Sequence, residues 1–215
     1  MLKPEQVAAA RTLIGWSQQK LSEETELSRD TIKRIEKGKT QPHSKTIEII
    51  KRAFEREGIE FTPTGGVDRK TLKVQTIKPP NSYLTFLEQL RLENRHKGGE
   101  ILFKNAINKL SSEDVINVQR RLRKDGFKMR WLIEEGDTFL YYPLREYRYI
   151  PAKSFTPVLH IIYDDIYATM LYEVGKADVL VIRNFRYTES QRISFNAEWE
   201  QYMPPTKTTA PVSYE

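Results

Sequence analysis

Between Arg29 and Arg52 the chain carries eight basic residues (Arg29, Lys33, Arg34, Lys37, Lys39, Lys45, Lys51, Arg52) against three acidic ones (Asp30, Glu36, Glu48). Ammonium and guanidinium groups at this density suit the phosphates of a polyanion. Arginine adds a planar fork that grips guanine through O6 and N7, whereas an aspartate accepts only from cytosine N4 or from a neighbouring arginine. The whole chain leans the same way, with 35 Lys and Arg against 29 Asp and Glu and a formal net charge of +6. That balance favours a polyanionic partner without naming one, and the Arg29–Arg52 segment is the first candidate for its contact surface.

Other chemistry is poorly represented. His43, His96 and His160 are isolated in sequence, and no HExxH spacing, GxSxG elbow, GxGxxG loop or phosphate loop occurs. The absence of cysteine removes disulfides, thiolate metal sites and cysteine nucleophiles and fits a reducing compartment. Two acidic pairs, Glu134-Glu135 and Asp164-Asp165, could in principle hold a metal. In the strand-rich context HIIYDDIYATML, however, Asp164-Asp165 reads as a hairpin turn. A second basic cluster between Lys104 and Arg130, with Arg120, Arg121, Arg123, Lys124 and Lys128, is compatible with flanking phosphates, a solvated helix face or an anionic ligand. The expectation is therefore a protein that is not an enzyme, with no catalytic, cofactor-binding or metal residues.

The elements that must position the basic segment follow from periodicity and caps. Pro4 suits a first helical turn, and Val7, Ala8, Ala10, Leu13 and Ile14 recur at helical spacing until Gly15. Ser17 caps a second helix anchored by Leu21. Ser28 caps a third, SRDTIKRIEKG, whose Ile32 and Ile35 face inward and whose stop is Gly38. Ser44 opens a fourth helix with Ile47, Ile50 and Phe54 on one face and Gly58 at its end. IEFTP (59–63) reads as a short strand, and TGGVDRK as turn residues that let the chain leave the domain. The predicted organisation is an all-α domain over 1–64, a linker over 65–80 stiffened by Pro79 and Pro80, a mixed α/β or α+β domain over 81–203, and a disordered tail over 204–215. In the second domain a helix near Ser82–Arg95 precedes the strand EILFKNA and the capped helix SSEDVINVQRRLRKDG. The strands FKMRWLIEEG, TFLYYPL, EYRYIPA, VLHIIY, IYATMLYE and ADVLVIRN follow, and a last helix near 188–202 carries Phe195 and Trp199. A length of 215 residues suits two cores, and 11% aromatic residues argue against wholesale disorder. No apolar stretch approaches eighteen residues and the N-terminal apolar run is too short for a signal peptide, so a cytoplasmic chain with no membrane partner is expected.

A second and third helix joined by a tight turn are what a DNA reader needs, because one crosses the backbone while the next enters the major groove. The stretch LIGWSQQKLSEETELSRDTIKRIEKGKTQP resembles the lambda-repressor-like, or xenobiotic response element, helix-turn-helix family. The resemblance covers about residues 3 to 60 and rests on Ser17-Gln18, Leu21, Leu27-Ser28, Ile32, Ile35-Glu36 and Gly38. It implies a DNA-binding site of Gln18, Ser28, Arg29, Asp30, Thr31, Lys33, Arg34, Lys37 and Lys39. Gln18 would bond a phosphate or an edge base, and Ser28 would join capping to phosphate contact. Arg29, Asp30 and Arg34 would reach base edges, and Thr31, Lys33, Lys37 and Lys39 would serve phosphates. The resemblance further implies an internal Arg11–Glu36 ion pair and a core role for Trp16. Two departures stand out: Ser22 replaces an alanine packed against the recognition helix, and Glu26 replaces a turn glycine, which costs about 1 kcal/mol if a left-handed conformation is required.

The run from Tyr147 to Tyr202 resembles, more diffusely, the end of phospholipase D-like domains attached to some regulators. The HxKxxxxD pattern of the active enzymes is missing, since His43-Ser44-Lys45 has Ile50 where the aspartate belongs. A non-catalytic role in dimerisation or in sensing a small-molecule or protein effector is implied. The reading is thus a sequence-specific transcriptional regulator binding double-stranded DNA as a homodimer. Its recognition helices would lie about 34 Å apart on an inverted-repeat operator. An antitoxin-like or adaptor protein whose second domain binds a protein partner is the alternative, and a nucleic-acid-processing enzyme with a degenerate site is a third.

Overall fold

A computed structural model describes residues 2–62, 65–69, 72–173 and 176–211. The chain divides into two compact units, Met1–Leu72 with Asn184–Arg186, and Lys73–Arg183 with Tyr187–Glu215. In the first, α1 (Pro4–Leu13), α2 (Gln18–Thr25), α3 (Arg29–Glu36) and α4 (Ser44–Arg56) precede a hairpin of β1 (Ile59–Phe61) and β2 (Val67–Arg69). The predicted strand at 59–63 is present, but the chain does not leave after it. Val67–Arg69 turns back to pair with β1, within what the sequence suggests is linker.

The caps act as their residue types dictate. Ser17 Oγ accepts from the Lys20 N–H and Ser28 Oγ from the Thr31 N–H, each meeting one orphan donor of a helix start. Gly38 adopts φ +64°, and the amides of Gly38 and Lys39 return to the Ile35 and Arg34 carbonyls, a Schellman closure that a residue with a Cβ would strain. Ser44 is the first helical residue of α4, and His43 takes the cap position without a side-chain bond. Val7, Ala10, Leu21, Ile32, Ile35, Ile50, Phe54 and Ile59 form the core. Trp16 packs against Phe54 with ring centroids 6.0 Å apart, as a core residue would. Glu26 does take the left-handed conformation, at φ 55°. Ser22 Oγ donates to the Leu27 carbonyl, so the hydroxyl that replaces a methyl closes the same turn.

Glu36 joins three helices. Arg11 of α1 donates to its two carboxylate oxygens through Nε at 2.7 Å and Nη2 at 3.2 Å, while Nη1 donates to the Trp16 carbonyl. Gln18 of α2 adds a 2.7 Å bond from Nε2. The Glu36 side chain is only 6% exposed.

The second unit is mixed α/β. Its strands are β3 (Lys73–Ile77), β4 (Gly99–Ala106), β5 (Phe127–Glu134), β6 (Tyr147–Ile150), β7 (His160–Tyr163), β8 (Ile166–Glu173) and β9 (Lys176–Arg183). They form one sheet in the order β3-β9-β8-β7-β4-β5-β6, with β4, β5 and β6 parallel and the rest antiparallel. Side chains alternate between faces along a strand. Ile101, Phe103, Met129, Trp131 and Ile133 therefore join one core with α5 (Ser82–Asn94) and α6 (Glu113–Lys124). Leu102 and Leu132 join the other, with Phe195 and Trp199 of α7 (Phe185–Gln201). Arg130, on that second face, lies 4.9 Å from the Trp199 ring centre.

Three expectations need correction. Lys73–Ile77, taken as linker, is the edge strand β3, in which only Ile77 is buried, so no alternating core-facing signal marks it. TFLYYPL is not a strand: Leu140 and Tyr142 are buried, but Leu140 bonds to Thr208 and Pro143 supplies no amide. The tail expected to be disordered from residue 204 instead runs, as far as residue 211, beside this segment. Thr208 Oγ1 donates to the Leu140 carbonyl at 2.8 Å, and the Thr209 amide donates to that of Thr138 at 2.7 Å. Residues 212–215 lie outside the described residues. Asp164, at φ 48°, forms the β7–β8 hairpin turn. His160 shares a 2.7 Å bond with Tyr167 Oη, and burial followed by the Lys104 ammonium lowers its pKa.

Three outcomes follow. Glu26→Gly relieves the left-handed strain at the cost of extra unfolded-chain freedom, and should stabilise the first unit by about 0.5–1 kcal/mol in denaturant titrations. Arg11→Met leaves a buried carboxylate with Gln18 alone and should cost about 2 kcal/mol or more. Because the fold lowers the His160 pKa, the unfolded chain takes up this proton first, near pH 6.5, so the stability present above that pH is lost as pH falls through it. The decline in second-unit stability between pH 7 and 5 should flatten in His160→Gln.

Candidate nucleic-acid interface

Helix α3 is eight residues long, and its inward face is set by Ile32 and Ile35, 0% and 3% exposed. Three residues apart, these lie on one side of a 3.6-residue spiral. Arg29, Asp30, Lys33 and Arg34 are consequently turned to solvent, with Lys37 and Lys39 continuing the surface beyond the helix. Among the described residues, none of Arg29, Lys33, Arg34, Lys37 and Lys39 forms an ion pair or a side-chain hydrogen bond. Asp30, in the first turn, complements the positive helix start.

The turn from α2 fixes the angle at which this face is presented. Glu26 reverses the chain, Ser22 holds the Leu27 carbonyl, and Thr25 Oγ1 donates to Leu21 at 2.6 Å inside the core. Ser28 is exposed at the helix start, where its hydroxyl also shares a 2.8 Å hydrogen bond with the Thr31 hydroxyl. Seven of the nine sequence-selected residues, Ser28, Arg29, Asp30, Lys33, Arg34, Lys37 and Lys39, are thus exposed together, and Thr31 is half-buried beside them. Gln18 is also half-buried, and its amide nitrogen is engaged by Glu36, so in this structure it braces the recognition helix.

Sequence reasoning missed the groove next to α3. Arg34 and Thr31 form one wall of a depression of about 200 Å³ whose other side is Gln41, Pro42, His43 and Thr46. Thr40 Oγ1 is buried there without a hydrogen-bond partner among the described residues. The signal was KTQPH, a polar loop between a helix stop and a helix start, which reads as mere connection.

The second basic cluster behaves differently. Arg121 pairs with Glu88, Arg123 with Glu146, Arg130 with Glu100 through two 2.8 Å bonds, and Lys104 with Glu198. Arg123 also lies 4.4 Å from the Tyr142 ring centre. These charges serve packing. Asp164 is paired with Lys97 at 2.6 Å, and no cluster of three metal-ligating side chains occurs among the described residues. Nor is any helix among them long and apolar enough to cross a membrane.

Residues 7–61 match the helix-turn-helix family model. No curated protein matches the chain. Among solved structures it is similar to Nuc, a phospholipase D family member from Salmonella typhimurium (14% identity, 64% of this chain and 100% of that one, TM-score 0.46). It is also similar to NucT from Helicobacter pylori (8% identity, 63% and 100%, TM-score 0.47). TrmBL2, an archaeal chromatin protein, shares 12% identity over 77% of this chain and 84% of that one, with a TM-score of 0.39. With its capped second and third helices, left-handed turn and matching core, the segment 7–61 is a DNA-binding helix-turn-helix domain of the lambda-repressor-like family.

Proposed function

We propose that this chain is a sequence-specific transcriptional regulator that binds double-stranded DNA as a homodimer on an inverted-repeat operator. The observation that carries the reading is the contrast in charge compensation. The cations of α3 and its exit lack protein partners among the described residues, whereas four cations of the second basic cluster are spent on carboxylates. Unpaired surface cations give up little when they meet phosphate, and the counterions they release supply affinity. Arg29, Asp30 and Arg34 read base edges. Ser28, Thr31, Lys33, Lys37 and Lys39 hold the backbone, while Gln18, bonded to Glu36, braces α3 from the start of α2.

The second unit pairs the subunits or senses an effector. Its edge strand β3 supports pairing: it is bonded to β9 at one margin of the sheet, and Val74 on it is 56% exposed. An open edge of this kind is a template for strand addition by a second copy.

The reading is tested by selecting the preferred site from random duplexes and measuring variants on it at about 0.15 M salt. Arg29→Ala and Arg34→Ala should each weaken binding to the selected site roughly 10- to 100-fold and relax preference at one base pair. Lys39→Ala should weaken all sequences alike and reduce the slope of log affinity against log salt by about 1. Unchanged affinity in both arginine variants would overturn the recognition-helix assignment, and a selected motif without dyad symmetry would overturn the dimer.

A further inference from the structure

The seven-stranded sheet has two margins, and they are finished differently. At the β6 margin the Tyr149 amide donates to the Met203 carbonyl at 2.9 Å, so the chain's own C-terminal segment occupies that edge. At the other margin β3 is bonded to β9 alone among the described residues. Backbone groups that point away from β9 along such an edge are open to a further strand.

The side chains of this edge select the strand that fits. Antiparallel partners share a face, so Val74 lies with Ile182 and Thr76 with Leu180 on the side covered by α7, where Ile182 packs against the cluster of Phe195 and Trp199. Val74 is 56% exposed, and Leu72, two residues before it, 61%. Lys73, Gln75 and Ile77 alternate onto the opposite face, and Lys78, beyond the strand, is paired with Asp178.

We infer that two copies of the chain join β3 to β3 in antiparallel pairing, with a two-fold axis normal to the sheet passing through Val74. This axis rests on the homodimer proposed above and specifies it. An axis normal to the sheet keeps the faces of both copies on their own sides, and directly opposite side chains share a face, so the axis runs through a residue and not between two. Through Val74 it sets Val74 against Val74, Leu72 against Thr76 and Lys73 against Gln75, with no charge opposite its like. Through Lys73 it would oppose two ammonium groups, and through Gln75 it would set Leu72 against Lys78. Through Thr76 or Ile77 it would carry the pairing onto Pro79 or Pro80, which have no amide. Each copy offers one open margin among the described residues, so the pairing closes at two and leaves no edge for a third.

The chain has no cysteine, so single cysteine substitutions in the full chain report the register. In Val74→Cys each thiol faces its own counterpart, and a short bifunctional thiol reagent should link most of the protein into covalent dimers. Gln75→Cys alone should link poorly, but a mixture of Gln75→Cys with Lys73→Cys should link well. In sedimentation, Val74→Lys and Val74→Asp should each weaken self-association at least about 10-fold with circular dichroism unchanged. An equal mixture of the two should recover association, because the opposite charges then face each other. Should a charged variant misfold, the Val74→Cys link decides alone. A dimer in which Gln75→Cys links in preference to Val74→Cys would overturn the axis and leave the homodimer standing. So would charged variants that associate as the parent does, or that lose association without recovery in the mixture. A chain that stays monomeric both free and on its selected site would overturn the homodimer and the axis together.

Discussion

A helix of eight residues has too few internal hydrogen bonds to persist alone in water, and α3 is held in place from outside itself. Glu36, its last residue, accepts from Arg11 of α1 and Gln18 of α2, while Ile32 and Ile35 seat the same helix on the core. The two devices divide the work. Burial of the isoleucines supplies free energy without direction, and the carboxylate bonds fix how the helix is rotated and how far it projects. Every exposed cation of α3 inherits its position from that clamp, so a change at Arg11 would reach Arg29, Lys33 and Arg34 without touching any of them.

The second unit solves a different problem with the same residue types. Its sheet is covered on both faces, which requires central strands apolar in nearly every position, and β4 and β5 fill successive positions alternately into the two cores. Two of the arginines that share this framework are neutralised where they stand. Arg130 meets Glu100 on one side and the Trp199 ring on another, and Arg123 lies between Glu146 and Tyr142. Basic composition alone therefore says little about ligand contact, since a guanidinium with a carboxylate and an aromatic face has already found its partners.

What was legible in the sequence is what depends on near neighbours in the chain. Ser17, Ser28 and Gly38 announce helix ends through bonds spanning three to five residues, and the α3 face follows from the spacing of Ile32 and Ile35. The turn at Glu26 could be anticipated because its geometry is local. The failures depend on distant partners. β3 looks like linker because only one side of it meets the sheet, and Thr138–Leu144 is irregular because Thr208 and Thr209 occupy its backbone from seventy residues away. Gln18 was assigned outward on its position in the helix-turn-helix pattern, yet a carboxylate eighteen residues on engages it.

Asp30 bears most directly on whether α3 reads sequence or only holds backbone. A helix selected for phosphate contact alone gains nothing from a carboxylate on its exposed face, which repels every phosphate oxygen it approaches. Its interaction with the helix start offers about 0.3–1 kcal/mol of compensation, which any acidic residue in the first turn would give. Asp30 lies four residues before Arg34, so the two share one stripe of the helix. There the carboxylate can orient the guanidinium fork or accept from a cytosine amine, and in either case it penalises sites that lack the matching base pair. On the proposed reading, an acceptor set among unpaired cations thus lowers affinity for DNA in general while leaving the preferred site intact, the balance a regulator needs against a large excess of competing sequence.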